Sequence, residues 1–394
     1  MSKPFVFEKP LGMRDTLPLL YETKKKIRNK IERVIQSWGY QFIQTPTLEY
    51  YDTVGSASST LEQQLFKLLD QQGKTLVLRP DMTAPIARVA GSSLKEVTYP
   101  LRLAYDTQLF RAQQREGGRP AEYEQIGVEL IGDGTGSADA EVISLMVSIF
   151  KETGLKDFQV AIGHVGFINS LFVDIVGNQE RADILRRYLY ERNYVGFKQH
   201  VKSLQLSSID KRRLLSLLEL RGGKDAIAKA YEVFGESDRD GTIEQLAALW
   251  DVLESYGVTD HVKIDFTLVR HINYYTGIVF EAYGSNLGYA LSGGGRYDQL
   301  LEKFNRPAQA TGFGIRLDHL IEALGMTEEE PEITCVIFSP ERRSEAIDLA
   351  AKKRREGERV VLQDLTGIGD LDAVTERFSE VVYCIGKAGK GVTS

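Results

Sequence analysis

The sequence predicts an α+β protein in which a mostly antiparallel sheet is flanked by helices, with a helical insertion and a small α/β domain at the C-terminal end. Several β-type runs follow one another before residue 132 without intervening helices, which favours antiparallel pairing. A mostly helical block then separates them from strand-like runs that return near residue 263. The last 60 or so residues alternate strand and helix patterns, as expected of a separate α/β domain.

The first half of the chain defines the elements of this sheet. We expect an amphipathic helix at residues 22–38, because apolar side chains recur there at the spacing of one helical face. The β-type runs that follow lie at residues 41–50, 75–80, 99–111 and 123–132. A polar, glycine-containing loop separates the last two runs and suits a long hairpin.

The pattern also predicts the domain boundaries. We expect one domain over residues 1–325, with its mostly helical insertion at about 170–258, and a second over residues 331–394. The acidic segment at 327–332 is the candidate linker. These boundaries are based on periodicity alone.

Composition excludes several classes of protein. The net charge of −6 disfavours nucleic-acid binding, because that affinity depends largely on clustered Lys and Arg. The N-terminal residues contain no apolar leader-like run, so we expect no secretory leader, and no uninterrupted apolar run is long enough for a membrane span. The two cysteines form no CxxC pair, and the five histidines include no HExxH motif. We therefore expect a cytoplasmic protein with no metal and no cofactor.

One strand carries polar residues on a single face. Alternation over residues 123–131 places Gln125, Gly127 and Glu129 on one side and apolar residues on the other. An amide, a missing side chain and a carboxylate suit a small cationic ligand, although a solvated face would show the same pattern. Arg111, at the end of the preceding strand, could bind a ligand carboxylate or could simply be exposed.

Two glycine-rich segments resemble nucleotide loops only superficially. The segment DGTGSADAE at 133–141 lacks the G-x-G-x-x-G spacing, and its Ser137, Asp139 and Glu141 suit helix capping and a first helical turn. The segment SGGGRYD at 292–298 lacks the Lys-Ser/Thr of a P-loop. We expect no nucleotide site at either segment.

Seven motifs, in order, resemble those of the histidyl-tRNA synthetases. They are GMRDTLP (12–18), WGYQFIQTPTLE (38–49), LRPDMTAPIAR (78–88), LFRAQQREGGRPAEYEQIGVELIG (109–132), LVRHINYYTGIVFEAY (268–283), SGGGRYDQL (292–300) and ATGFGIRLDHL (310–320). The resemblance implies a class II aminoacyl-tRNA synthetase-like core that binds an amino acid on a mostly antiparallel sheet.

The resemblance also implies a histidine pocket. In this sequence the matching positions are Asp81, Thr83, Arg111, Gln125, Glu129, Arg270, Tyr274 and Tyr275. Carboxylates and a hydroxyl would hold the ammonium group, Arg111 the carboxylate, and a tyrosine hydroxyl an imidazole nitrogen. The match is incomplete, since the family usually has Glu at position 81 and Gly-Leu-Asp at positions 271–273.

The departures from the family lie mainly on the ATP side. Gln113 and Gln114 stand where the family usually has Glu and Arg, although Arg119 is retained. His319 stands where the family has the arginine that clamps the nucleotide phosphates, and a histidine cannot replace a bidentate guanidinium. The tail from residue 331, with ten Lys/Arg and eleven Asp/Glu, is shorter than an anticodon-binding domain and carries no basic footprint.

A synthetase-like chain that keeps an amino-acid pocket but lacks the residues for adenylation resembles the regulatory subunits of ATP phosphoribosyltransferase. This resemblance implies a non-catalytic chain that activates a short catalytic subunit in the first step of histidine biosynthesis, with L-histidine as effector and no tRNA. Class II cores commonly pair through motif 1, so a homodimer within a larger hetero-oligomer is expected. Two alternatives are an active, divergent synthetase and an amino-acid-binding subunit of another enzyme.

Overall fold

A computed structural model describes residues 7–112, 120–235, 238, 240–269, 274–325 and 331–386. The chain forms two compact units, a main unit that ends at residue 326 and a C-terminal unit from residue 327 to which residues 18–20 are also assigned. The helices are α1 (Pro18–Ser37), α2 (Thr83–Gly91), α3 (Gly136–Thr153), α4 (Val165–Val176), α5 (Gln179–Tyr190), α6 (Tyr194–Ser203), α7 (Ser208–Ser216), α8 (Lys224–Phe234), α9 (Thr242–Ser255), α10 (Leu317–Leu324), α11 (Arg343–Arg355) and α12 (Leu371–Thr375).

The strands of the described residues form one large sheet and two small ones. They are β1 (Gln41–Phe42), β2 (Leu48–Tyr50), β3 (Lys67–Leu69), β4 (Thr75–Leu78), β5 (Leu101–Phe110), β6 (Glu122–Ile131), β7 (Phe158–His164), β8 (Arg221–Gly222), β9 (Val262–Asp265), β10 (Ile278–Gly284), β11 (Ala290–Arg296), β12 (Ala310–Arg316), β13 (Thr334–Phe338), β14 (Val360–Asp364) and β15 (Glu380–Cys384).

The large sheet of the main unit has the order β1-β5-β6-β12-β11-β10-β7-β9-β8. Its described neighbours run antiparallel except β1 with β5 and β7 with β9. The prediction of a mostly antiparallel sheet is therefore confirmed. Ladder pairing brings β6, β12 and β11 side by side in the middle of the sheet, so residues far apart in sequence share one surface there.

Helix α1 covers one face of this sheet. It buries Ile27, Ile31 and Ile35 against the sheet core, which is the apolar stripe that the spacing predicted. The helix starts at Pro18, earlier than expected, because proline fits the first turn where no intrahelical N–H bond is needed. Gly39 follows its end with a left-handed φ of 82°, a conformation that favours glycine.

The mostly helical block that the sequence predicted also contains the strands β7 and β8, which were not predicted. Strand β7 pairs with β10 over its whole length. After β7 the chain forms α4 to α9, whose apolar sides belong to the same hydrophobic core as the sheet. Phe167, for example, meets Phe266 edge-on at a centroid distance of 4.8 Å.

The main unit also contains a small antiparallel sheet of order β2-β4-β3. Strand β3 was also missed by the sequence prediction. Large apolar side chains remain exposed on this sheet, with exposed fractions of 43% for Leu48, 48% for Tyr50 and 73% for Leu69. The exposed apolar area on this sheet is larger than is usual for strands that simply face solvent.

The C-terminal unit is a parallel sheet of order β14-β13-β15 with α11 packed on it. Its core contains Val336, Phe338, Ala346 and Ala350. Each strand connects to the next through helical segments, and this alternation is typical of parallel sheets. Within the part of the chain that the structure covers, no helix combines the length and hydropathy that a bilayer crossing requires.

Candidate functional site

A cavity of about 180 Å³ lies over the middle of the main sheet. Its floor is formed by β6, β11 and β12, and its walls include Thr83 at the start of α2. Pockets for drug-sized ligands usually measure roughly 300–1,000 Å³. The cavity therefore suits a ligand of about the size of one amino acid.

Glycines make room for this cavity. A Cβ atom at Gly314 would lie 2.5 Å from Cδ of Gln125, and one at Gly127 would lie 2.5 Å from the Tyr105 hydroxyl. Both distances are well below van der Waals contact. The side chains of Gln125 and Tyr105 can lie on the sheet surface because the neighbouring positions, Gly314 and Gly127, have no side chains.

Glu129 is the most buried acid of the cavity, with 2% of its surface exposed. The Tyr297 hydroxyl donates to its Oε2 at 2.6 Å, and the Thr83 hydroxyl donates to its Oε1 at 2.9 Å. Burial raises the pKa of the Glu129 carboxyl to about 7, although both hydrogen bonds oppose the shift. A cationic group in the cavity would stabilise the ionised form.

Two further predicted residues stand behind the cavity wall. Asp81 accepts a hydrogen bond from the Ser58 hydroxyl and another from the Ala84 backbone N–H at 3.1 Å. The Tyr274 hydroxyl lies 3.4 Å from Oγ1 of Thr83, and its pKa is raised well above the usual value by burial. Asp81 holds the start of α2 and Tyr274 contacts Thr83 there, and neither residue lines the cavity itself.

Gln125 is oriented by a buried tyrosine. The Tyr105 hydroxyl donates to Oε1 of Gln125 at 2.8 Å, so the amide nitrogen of Gln125 is left as the donor toward other groups. Burial keeps the pKa of Tyr105 well above its usual range, and the hydroxyl remains a donor at neutral pH. The arrangement fixes the direction of the Gln125 amide.

Cationic side chains border the same cavity near Tyr123. The Arg111 guanidinium lies 5.8 Å from the Tyr123 ring centroid, and its Nε donates to the Pro80 carbonyl at 3.0 Å. The Arg316 guanidinium lies 4.0 Å from the same centroid and is paired with Asp318 at 2.8 Å. Cation–π contact and the ion pair hold these groups in place.

The structure brings most of the predicted site residues to one place. Thr83, Arg111, Gln125, Glu129 and Tyr275 line the cavity, and Asp81 and Tyr274 lie directly behind it. Arg270 lies outside the described residues, as do Gln113, Gln114 and Arg119.

Tyr297, Tyr105, Tyr123 and Arg316 also line the cavity, and the sequence reasoning did not select them. Tyr297 is separated from its partner Glu129 by 168 positions, a contact that no local pattern reveals.

His319 does not reach the cavity. Its Nδ1 lies 2.8 Å from the Ala290 carbonyl oxygen, and its ring lies 4.3 Å from the Tyr289 ring. Burial lowers the pKa of His319, so the imidazole is neutral at pH 7. A neutral ring whose nitrogen is engaged by a carbonyl does not supply the positive charge that phosphate binding needs.

The glycine-rich loop before α3 faces a cation. The Arg296 guanidinium donates to the carbonyl oxygens of Asp133 and Thr135 at 3.2 and 3.0 Å and forms a buried ion pair with Asp139 at 2.9 Å. The loop therefore presents carbonyl oxygens rather than N–H groups to its neighbour, which is unsuitable for phosphate. Thr135, not Ser137, precedes the helix.

A second, larger cavity of about 670 Å³ adjoins the first, since both are lined by Arg111 and Ala290. It lies between the sheet and the helical insertion. Arg192, Arg221 and Tyr283 are among its lining residues. Arg221 is held by Asp265 at 3.1 Å and by the Tyr194 hydroxyl at 2.8 Å.

Comparison with known proteins identifies the fold. The histidyl-tRNA synthetase family model matches residues 12–320. A histidyl-tRNA synthetase structure from a Nostoc species superposes with a TM-score of 0.79 at 18% identity, covering 95% of this chain and 89% of that one. The main unit thus has the class II synthetase-like fold that the motifs predicted.

A second set of similarities is more specific. A model described as the C-terminal domain of histidyl-tRNA synthetase HisZ matches residues 335–386. A protein of Halalkalibacterium halodurans named ATP phosphoribosyltransferase regulatory subunit is 61% identical over 99% of both chains. One of Bacillus subtilis with the same name is 60% identical over 97% of this chain and 98% of its own.

A solved structure titled as an ATP phosphoribosyltransferase regulatory subunit/histidyl-tRNA synthetase from Bacillus halodurans covers 98% of this chain and all of its own, with a TM-score of 0.92 and 61% identity. The chain belongs to the family of ATP phosphoribosyltransferase regulatory subunits, and the resemblance predicted from its motifs is confirmed.

Proposed function

We propose that this chain is the non-catalytic regulatory subunit that activates a short ATP phosphoribosyltransferase catalytic subunit and makes it responsive to histidine. The proposal rests on a sequence identity of about 60%, over nearly the full length of the chain, to proteins named as that regulatory subunit. The small cavity around Glu129 supports histidine as the effector. Its residues match an amino acid with a cationic ammonium group and an anionic carboxylate.

In this proposal histidine binds with its ammonium group at Glu129 and Thr83 and its carboxylate toward Arg111. Glu129 is already held by two hydroxyl donors, so the carboxylate needs little rearrangement to receive a cation. Tyr275 lines the cavity and could meet an imidazole nitrogen. Arg270 would belong to the same set on the basis of family resemblance alone.

The proposal gives the chain no role in aminoacylation. The imidazole of His319 is tied to the Ala290 carbonyl and lies outside the small cavity. Adenylate formation requires charge neutralisation on phosphate, and losing an arginine clamp commonly costs about 10³-fold or more in rate. We propose that the fold retains amino-acid recognition for signalling in the cytoplasm, without tRNA.

We further propose a homodimer formed through the first motif. That motif is the stretch at 38–49: Leu48 lies near its end and Tyr50 follows it directly, both on β2, and they are 43% and 48% exposed. Leu68 on β3 lies on the same face, since Leu68 and Tyr50 both pair with Leu76 of β4. With Leu48 and Tyr50 it forms an exposed apolar surface that a second copy would cover in an isologous contact. Sedimentation of the chain alone at micromolar concentration tests this contact, with Leu68→Glu expected to give monomers.

The decisive experiment measures phosphoribosyl-ATP formation by a short catalytic subunit with and without this chain, while histidine is titrated. We expect activity only in the mixture and its decline as histidine rises. Pyrophosphate exchange by this chain alone runs alongside. Histidine-dependent exchange together with no stimulation would identify a synthetase and end the proposal.

A further inference from the structure

Positive charge is concentrated in one segment of this acidic chain. Residues 181–221 contain ten Lys/Arg and four Asp/Glu, a net charge of +6, whereas the whole chain has a net charge of −6. The segment forms α5, α6 and α7 of the helical insertion. Such segregation creates a local potential opposite in sign to that of the remaining surface.

Cations and apolar residues share the exposed side of α6. Val195, Lys198 and Lys202 lie at positions i, i+3 and i+7, which one helical face brings together. All three are exposed, and Val195 shows 69% of its surface. The opposite side of α6 buries Phe197 and Val201 in the core. The exposed stripe is therefore not required for packing of the insertion.

Helix α7 repeats this arrangement. Ile209 is 65% exposed and lies one turn before the exposed Arg212. The two helices are neighbours, since Nζ of Lys211 donates to the Lys202 carbonyl oxygen at 2.9 Å. We define the basic face as Val195, Lys198, Lys202, Ile209 and Arg212.

The composition of the basic face limits its partner. A second copy of the same face is disfavoured, because like charges placed opposite each other repel. A nucleic acid would engage the cations, but its phosphate backbone offers no apolar contact to Val195 and Ile209. An acidic protein surface with an apolar centre matches both features, since interfaces commonly combine a buried apolar core with a charged rim.

We infer that the basic face docks an acidic surface of the catalytic subunit. This inference rests on the proposed function, which supplies the catalytic subunit as the partner. Docking on the insertion would place the partner on the element that also lines the larger cavity through Arg192 and Tyr194. That cavity adjoins the proposed histidine site at Arg111.

The test measures the Kd between the full-length chain and the catalytic subunit by biolayer interferometry. The variant Lys198→Glu/Lys202→Glu should raise Kd at least about tenfold at low salt, mainly through slower association. The loss should shrink in about 0.5 M salt, where surface charges are screened. Lys151→Glu/Lys156→Glu, at two exposed lysines outside the insertion, makes the same charge change and should bind as wild type.

Two further variants separate charge from fold. Lys198→Gln/Lys202→Gln should give an intermediate Kd, and Val195→Ser should weaken binding at both salt concentrations, because apolar burial is not screened. Thermal unfolding of every variant should match wild type. A fold defect would instead lower stability in proportion to the loss of binding.

Equal Kd values for wild type and the charge-reversal variant would overturn the inference, as would equal losses in the variant and its control. Binding of a short double-stranded RNA to the basic face, with catalytic-subunit affinity unchanged by charge reversal, would assign the face to nucleic acid instead. Failure of the wild-type chain to stimulate the catalytic subunit would refute the proposed function. Stimulation by wild type and variant alike would refute only this docking surface.

Discussion

The variant Glu129→Gln tests the proposed histidine site most directly. Glu129 is 2% exposed and accepts hydrogen bonds from Tyr297 and Thr83. Glutamine keeps the volume but removes the charge that would meet the ligand ammonium group. A hydrogen bond to a charged partner contributes about 1.5–3 kcal/mol, so Kd for histidine should rise about 10- to 150-fold.

The same carboxyl group predicts a pH dependence of binding. Burial places the pKa of Glu129 at about 7 in the free protein, with the nearby Asp81 carboxylate adding to the shift. A ligand that binds the ionised form must first displace the proton. Between pH 8 and pH 6 the ionised fraction falls about tenfold, so Kd should rise about tenfold from this group alone.

Isothermal titration calorimetry separates this effect from titration of the ligand imidazole. In buffers of different ionisation enthalpy, wild type should release about half a proton from Glu129 at pH 7, because about half of the free protein carries it. Glu129→Gln should lack this release while retaining the contribution of the ligand.

Glu124→Gln is the matched control. Glu124 lies on the same strand and pairs with Lys24 and Arg28 away from the cavity. It should bind histidine as wild type does. Identical pH profiles for wild type and Glu129→Gln, or an affinity loss in the control as large as in the variant, would refute the assignment of Glu129 to the ligand ammonium group.

Three other outcomes follow from the same geometry. Because the folded-state pKa of Glu129 is about 7 and its ordinary value is 4.5, the free energy of unfolding without ligand should fall by about 3 kcal/mol as pH rises from below to above this range in urea titrations. Glu129→Gln, which has no titrating carboxyl, should lack this fall. Arg296→Met leaves Asp139 buried without its partner and should lower the free energy of unfolding by about 3–5 kcal/mol. The double variant with Asp139→Leu should recover most of this loss. A full loss in the double variant would contradict the ion-pair argument. Gly314→Ala should displace Gln125, the side chain that its new Cβ would meet. Histidine binding should weaken at least about tenfold, while the melting temperature shifts by only a few degrees. Unchanged affinity would exclude Gln125 from the site.

Much of the fold was predictable because the strands obey local rules. Alternation on β6 separated Ile126 and Val128, which enter the core, from Gln125 and Glu129, which line the cavity. The strand β12 was not predicted from its pattern, since its glycines weaken the β-signal. Those glycines are present because the cavity requires space.

The candidate site was predictable only in part. Ordered motifs selected residues that the fold brings together, such as Thr83 and Glu129. The stacking of Arg316 on Tyr123 and the hydrogen bond from Tyr297 depend on contacts between distant strands. Periodicity describes one element at a time and carries no information about which strands become neighbours.

The position of His319 has an evolutionary consequence. Its ring is engaged by the Ala290 carbonyl, and its Nε2 lies 3.9 Å from the Asp318 carboxylate, which Arg316 already holds. Reversion to arginine would introduce a second guanidinium that competes for that carboxylate and repels the first. The arginine of the synthetases could therefore be accommodated at this position only together with a change at Arg316 or Asp318.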